Sequence, residues 1–239
     1  MPSQSAVFIG IEPGSGRKPC AMMVLDENQR IQAQGRGNLA DALAYAAGVN
    51  NAVVAVNAPA HLSRDLPARA VERELLAQGA WIYQTPASLD ACPAALRRGL
   101  ELHSRLSGMG YRVFPAEDSP RQKLESPAEA AFWSLLGVRP FEAQTLEGRL
   151  QRQLVLSDAG INIPDAMDFF EEITRHRLLR GMLPLENIYL PEELNALICA
   201  HTAWRAAHQP EDLRMMGDPE EGQIALPLPV HRDQRSRNL

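Results

Sequence analysis

The stretch from Val7 to Gly16 limits what this chain can fold into more than any other, because it changes from apolar to acidic to turn-forming within ten residues. The apolar run over residues 7–11 is typical of a β-strand covered on both faces, and residues 13–16 predict a turn. Glu12 is therefore expected at the carboxyl end of this strand. A carboxylate there can act on a ligand without the cost of several kcal/mol that burial inside a sheet would impose. The alternative is a solvated strand end without a function.

The residues after the turn predict a sheet with both antiparallel and parallel strands. Apolar and alternating patterns over residues 20–25 and 30–34 predict two strands that extend the first into an antiparallel meander. An Ala- and Leu-rich helix is predicted over 38–48, with Asn38 as its N-cap. The apolar run 51–57 follows this helix, so we expect a strand that lies parallel to the first and beside it.

Three further positions are predicted to face the rim where these strands end. Asn57 closes the parallel strand, so it should lie near Glu12. Residues 111–115 predict another short strand, and Glu117 follows it closely. Asn195 comes near the start of a late helix of small and apolar residues, which can pack closely on a sheet and direct its first turns toward the rim.

Charged residues elsewhere give weaker candidates. Arg69 and Glu72 lie in a mainly helical section, residues 61–110, which either forms a solvated helical face or is an insertion that closes over the site. Glu172 and His176 fall at helical spacing in a later segment. A single histidine in such a place is more often a hydrogen-bonded structural group than a metal ligand.

Composition excludes several classes of protein. At 239 residues with a formal net charge of −5, the chain suits one α/β domain over residues 1–230, and its overall charge does not support general binding to nucleic acid. The three cysteines are far apart and include no C-x-x-C pair, which predicts buried thiols in a cytoplasmic protein. No apolar run approaches the roughly 20 residues that cross a bilayer. The arginine-rich segment 231–239 predicts a disordered tail.

The order of these elements is similar to that of the ribonuclease H-like fold, and the sequence resembles the DUF429 family, whose members are uncharacterised proteins predicted to be nucleases. Six segments carry the resemblance: Ile9-Gly10-Ile11-Glu12, Val56-Asn57-Ala58-Pro59, Arg69 with Glu72, Val113-Phe114-Pro115, Glu193-Leu194-Asn195-Ala196-Leu197 followed by Ala200 to Trp204, and Gly217 to Ile224. The resemblance implies an α/β fold with a mixed sheet, an antiparallel meander plus parallel strands, flanked by helices and carrying the insertion 61–110.

The resemblance also implies a site. Its motifs typically read Gly-Ile-Asp, Asp-Ala-Pro and Leu-Asp-Ala, so three aspartates would hold Mg²⁺ or Mn²⁺ ions about 4 Å apart for phosphodiester hydrolysis. This chain has Glu12, Asn57 and Asn195 at those positions, one negative charge in place of three. Glu72, Glu117, Asp118 or Glu172 would have to supply the missing charge, with Glu117 the first candidate because it follows a strand end, and Glu172 together with His176 the next.

Three functions therefore follow from the sequence as alternatives. The first is a metal-dependent nuclease with an impaired site at Glu12, Asn57 and Asn195. The second is a non-catalytic binding or scaffold protein on the same fold, with Arg69 on a rim suited to an anion. The third is a nucleotide binder, because the turn over residues 13–16 loosely resembles a phosphate loop of the actin and sugar-kinase superfamily; one such turn is a weak signal. Neither the substrate nor the oligomeric state follows from the sequence.

Overall fold

The computed structural model describes residues 5–16, 18–64 and 67–229 of the chain. The predicted tail, residues 231–239, lies outside the described residues. The strands are β1 (Val7–Glu12), β2 (Cys20–Leu25), β3 (Ile31–Gly37), β4 (Ala52–Val56), β5 (Arg112–Val113), β6 (Arg121–Glu125), β7 (Leu213–Met216) and β8 (Ile224–Pro227). The helices are α1 (Leu39–Gly48), α2 (Ala70–Ala77), α3 (Ala94–Gly108), α4 (Ala128–Leu136), α5 (Leu146–Asp158), α6 (Asp168–Glu172), α7 (Arg175–Leu179) and α8 (Pro191–His208), with a 3₁₀ turn over Pro210–Asp212.

In the described part of the chain, the eight strands form one sheet in the order β3-β2-β1-β4-β6-β8-β7, and β5 pairs with β6. β1, β2 and β3 form the predicted antiparallel meander, and β4 pairs in parallel with β1. β6 continues the sheet in parallel with β4, and β7 and β8 form an antiparallel hairpin. The predicted fold class, a mixed sheet flanked by helices as in the ribonuclease H-like fold, is confirmed.

Helices cover both faces of the sheet, which explains the continuous apolar runs of the central strands. α8 packs on one face, where Phe8 and Leu197 belong to the same buried cluster. α1 and α3 pack on the other face, where Ile9 and Leu102 share a second cluster. The predicted insertion, residues 61–110, contains α2 and α3 joined by an irregular segment.

One strand was missed by the sequence interpretation. β6 reads Arg-Gln-Lys-Leu-Glu, so it contains a single apolar residue. Its side toward α3 carries Lys123 and Glu125, and both are buried. Because strands are recognised by apolar residues, a strand whose buried side chains are charged gives no such signal.

Candidate functional site

Glu12 lies where β1, β4 and α8 meet, and it accepts hydrogen bonds from three directions. The Nδ2 atoms of Asn57 and Asn195 both donate to Glu12 Oε2, the second over 3.0 Å. The backbone N–H of Gly14 donates to Glu12 Oε1 over 3.1 Å, because the turn after β1 folds back over the side chain. The structure therefore brings together the three rim residues named from the sequence.

The environment of Glu12 opposes its ionisation. Burial raises the pKa of Glu12 above its ordinary value, while the hydrogen bonds from Asn57, Asn195 and Gly14 and the charge of Lys18 partly offset that rise. Each pKa unit that separates the folded from the unfolded state corresponds to about 1.4 kcal/mol. Ionised Glu12 therefore lowers the stability of the fold.

We expect this cost to appear as a pH dependence that Glu12→Gln removes. A raised carboxyl pKa means that the folded state binds the proton more tightly, so stability falls as pH rises from the unfolded-state pKa through the folded-state pKa. In urea titrations at successive pH values, wild type should lose stability relative to Glu12→Gln over that window. The exposed variant Glu101→Gln is the control. A wild-type advantage that grows with pH would contradict the raised pKa.

The side-chain amide oxygens of Asn57 and Asn195 differ in their hydrogen bonding. Asn57 Oδ1 accepts the backbone N–H of Ala128 at the start of α4 over 2.8 Å. Asn195 Oδ1 is buried, and among residues 5–16, 18–64 and 67–229 it has no hydrogen-bond partner. A buried polar oxygen without a partner costs roughly 1–3 kcal/mol, so Asn195 Oδ1 is the atom beside Glu12 whose hydrogen-bonding capacity is unused within the described residues.

The donor set does not fit a two-metal centre. Of the three positions, Glu12 alone carries a charge, and its oxygens already accept three N–H groups. Over the described residues, no group of three or more His, Cys, Asp or Glu side chains is arranged to hold a metal ion. Two divalent ions need several anionic oxygens between them, and this rim offers one carboxylate and one free amide oxygen.

A cavity of about 270 Å³ opens beside these residues. The side chains that give it chemical character are Glu12, Asn57, Asn195, Lys18, Trp81, Tyr83, Glu129, Gln144 and Glu192. Two of its other carboxylates are already paired: Glu129 with Arg152 over 2.8 Å, and Glu192 with Arg36 over 2.7 Å. The sequence interpretation named none of Lys18, Trp81 and Tyr83 as a site residue.

Arg69 and Glu72 lie in a buried network behind this cavity. Arg69 is fully buried; its Nε donates to Glu72 Oε1 over 2.8 Å, and its Nη1 donates to Glu125 Oε2 over 2.9 Å. Tyr83 Oη donates to Glu125 Oε1 over 2.6 Å. With both carboxylates bound to it, Arg69 has no charge to offer an anion, so the rim loses the cation on which the anion-binding interpretation depended.

Glu117 does not reach the rim. It is exposed in the loop between β5 and β6 and does not line the cavity. The acidic residue that ends a strand in this region is Glu125, the last residue of β6 and the neighbour of Val56 in β4. The sequence interpretation did not recognise β6 and therefore did not consider Glu125.

Glu172 and His176 do not form the predicted group at helical spacing. The chain leaves the helix at Ile173, and Thr174 begins a new one by accepting the Arg177 N–H over 3.2 Å. Glu172 and His176 are both exposed on these short helices. Threonine is a favoured N-cap residue, and Thr174 therefore begins α7 as a helix separate from α6.

The remaining expectations concern cysteines and membranes. Cys20, Cys92 and Cys199 are free and buried, as expected. Every helix in the portion of the chain that the structure describes is too short or too polar to cross a bilayer.

Comparison with known proteins identifies one family. The family model DUF429, described as a protein of unknown function, matches residues 10–221. No match was found among curated proteins or among solved structures. Because the matched region covers most of the sequence and includes Glu12, Asn57 and Asn195, the chain belongs to the DUF429 family.

Proposed function

We propose that this chain binds a small organic cation in the cavity beside Glu12, and that it does so without a two-metal centre. One observation carries the proposal: both amide groups of Asn57 and Asn195 donate to Glu12, and Asn195 Oδ1 remains buried without a partner among the described residues. The groups left for a ligand are therefore Glu12, which carries a negative charge, and Asn195 Oδ1, which accepts hydrogen bonds. A ligand that donates hydrogen bonds and carries a positive charge complements both.

The charge and the aromatic rings of the cavity support the same ligand class. Because Glu129 and Glu192 are paired with arginines, Glu12 is the carboxylate that a ligand can neutralise. Trp81 and Tyr83 also line the cavity. A cation within about 6 Å of an aromatic ring gains roughly 0.5–2 kcal/mol. A bound cation would also offset the cost of keeping Glu12 ionised.

The test is isothermal titration of the metal-stripped protein with benzylamine, in the presence of a chelator. Benzoate is the charge-reversed control ligand, and Glu12→Gln removes the charge while keeping the shape. We expect the amine to bind wild type, to bind Glu12→Gln at least about tenfold more weakly, and to bind Glu101→Gln unchanged. Binding of benzoate instead, or equal amine binding by Glu12→Gln, would refute the proposal.

A metal-dependent nuclease is the second candidate, and the unpartnered Asn195 Oδ1 is the observation that favours it. An amide oxygen beside a carboxylate is also a ligand type that Mg²⁺ and Mn²⁺ accept. If this function is correct, Mn²⁺ should bind wild type and not Glu12→Ala, and single- or double-stranded DNA should be cleaved only in its presence. The charge of the rim argues against this outcome.

Nucleotide binding through the turn after β1 has less support. A phosphate loop presents free backbone N–H groups to its ligand. Here the N–H of Gly14 donates to Glu12, and Ser15 and Lys18 pair with each other across the turn. A screen of nucleoside mono-, di- and triphosphates by thermal shift should therefore give no stabilisation.

A further inference from the structure

A second cavity, of about 300 Å³, lies between β6, α3 and the turn of the β7–β8 hairpin. None of its described lining residues lines the cavity at Glu12. Its polar side chains are His61, His103, Lys123, Glu125 and Gln223, and its apolar ones include Val113, Phe114, Leu124 and Met215. This volume is at the lower end of the range for small-molecule sites.

Lys123 is a buried cation without a carboxylate partner in the described chain. Its side chain is 6% exposed, and Nζ donates to the backbone oxygen of His103 over 2.6 Å and to Ser107 Oγ over 2.7 Å. An ammonium group has three hydrogens, so one remains. Buried lysines are rare unless they are paired, because removing the charge from water costs several kcal/mol. Burial accordingly lowers the pKa of Lys123.

Glu125 does not neutralise Lys123, although it lies two residues further along β6. Its Oε1 accepts Tyr83 Oη and its Oε2 accepts the N–H of Ala60, and Arg69 binds both oxygens. All the hydrogen bonds to Glu125 therefore come from Arg69, Tyr83 and Ala60, and none comes from Lys123. Lys123 is left as the cation that an anion entering this cavity would meet.

His103 adds a second unpartnered group at the same place. It is 2% exposed, and its Nε2 lies 3.2 Å from the backbone oxygen of Ala58, which fixes Nε2 as the donor. Nδ1 is then an acceptor, and within the described residues it has no partner. Burial lowers the pKa of His103 to about 3, so the ring stays neutral and keeps this acceptor.

We propose that this second cavity binds a small 2-hydroxy carboxylic acid, whose carboxylate pairs with Lys123 and whose hydroxyl donates to His103 Nδ1. The single positive charge matches a monoanion better than a phosphate dianion. The apolar wall formed by Val113, Phe114, Leu124 and Met215 accommodates an aliphatic tail. Lys123, His103 Nδ1 and the apolar wall would thus contact the carboxylate, the hydroxyl and the aliphatic tail, respectively.

The probe is 2-hydroxy-4-methylpentanoate, titrated calorimetrically into the full chain. 4-Methylpentanoate lacks the hydroxyl and 2-hydroxy-4-methylpentanamide lacks the charge, so each tests one contact. We expect the hydroxy acid to bind, and each analogue to bind at least about tenfold more weakly. Absence of binding by the hydroxy acid, or equal binding by all three, would overturn the proposal.

Two substitutions in the cavity wall test whether the ligand occupies this cavity. Lys123→Met keeps an unbranched side chain that is one heavy atom shorter, and it should remain folded because it removes a buried charge; we expect a loss of at least about tenfold in affinity. Val113→Glu puts a negative charge on the exposed wall, where Val113 is 58% exposed, and should weaken binding without relying on a buried substitution. Val138→Glu is the matched control, since Val138 is also 58% exposed and does not line the cavity. Unchanged affinity in Lys123→Met and Val113→Glu would refute the assignment.

One further arm separates this proposal from the function proposed for the first cavity. Glu12→Gln should bind the hydroxy acid as wild type does, whether or not the amine binds beside Glu12. If Glu12→Gln abolishes binding of the hydroxy acid while Lys123→Met preserves it, the acid occupies the first cavity and this proposal is wrong.

Discussion

Replacing Arg69 with methionine is expected to lower the free energy of unfolding by about 3–5 kcal/mol, the range for removing one partner of a buried ion pair. Arg69 is fully buried, and its guanidinium bonds both Glu72 and Glu125. Methionine replaces the apolar stem of the arginine but leaves two buried carboxylates without their cation. Urea denaturation monitored by circular dichroism measures the change.

A surface ion pair provides the matched control for Arg69→Met. Arg105 and Glu101 form an i,i+4 pair on α3 over 2.9 Å, and both are exposed. Arg105→Met should therefore change stability by less than about 1 kcal/mol. The double variant Arg69→Met with Glu125→Gln should recover part of the loss, since it removes one of the unpaired charges. A loss below 1 kcal/mol in Arg69→Met would mean that the network does not stabilise the fold.

The same network explains why the site could be predicted from the sequence only in part. Glu12 and Asn57 each follow an apolar run, so their place at the strand ends could be read from local pattern. Arg69 and Glu72 were recognised as charged residues close in sequence and were expected on the rim or on a solvated face. Nothing local indicates that Glu125, more than fifty residues further on, draws Arg69 into the interior.

Long-range contacts also decide the second cavity. Lys123 and His103 come from β6 and α3, and each looks like an ordinary surface residue in the sequence. β6 pairs with β4 although α2, α3 and β5 separate the two strands in the sequence. This long-range pairing is what brings β6 next to α3. The meander, by contrast, joins strands adjacent in sequence, which is why its prediction was correct.

The position of Asn195 depends on a close approach between α8 and β1 that we expect Gly10→Ala to disrupt. A Cβ on Gly10 would lie 1.9 Å from the Ala196 oxygen and 2.3 Å from the Ala200 nitrogen. Both are backbone atoms of α8, so a change of side-chain rotamer cannot relieve the overlap. Overpacking a core costs typically about 1–3 kcal/mol, and we expect Gly10→Ala to lose about 3 kcal/mol or more because the whole helix must move.

Gly10→Ala should also alter the site, because the atoms it displaces flank the residue that binds Glu12. Ala196 is the next residue after Asn195, so moving α8 away from β1 lengthens the 3.0 Å contact between Asn195 Nδ2 and Glu12 Oε2. Loss of that hydrogen bond should raise the pKa of Glu12 further, since hydrogen bonds favour the carboxylate. Gly108→Ala is the control: Gly108 ends α3 with open space around it, and alanine there should be neutral or stabilise by about 0.5–1 kcal/mol. If Gly10→Ala unfolds at the same urea concentration as Gly108→Ala, close packing of α8 on Gly10 is not what holds Asn195 against Glu12.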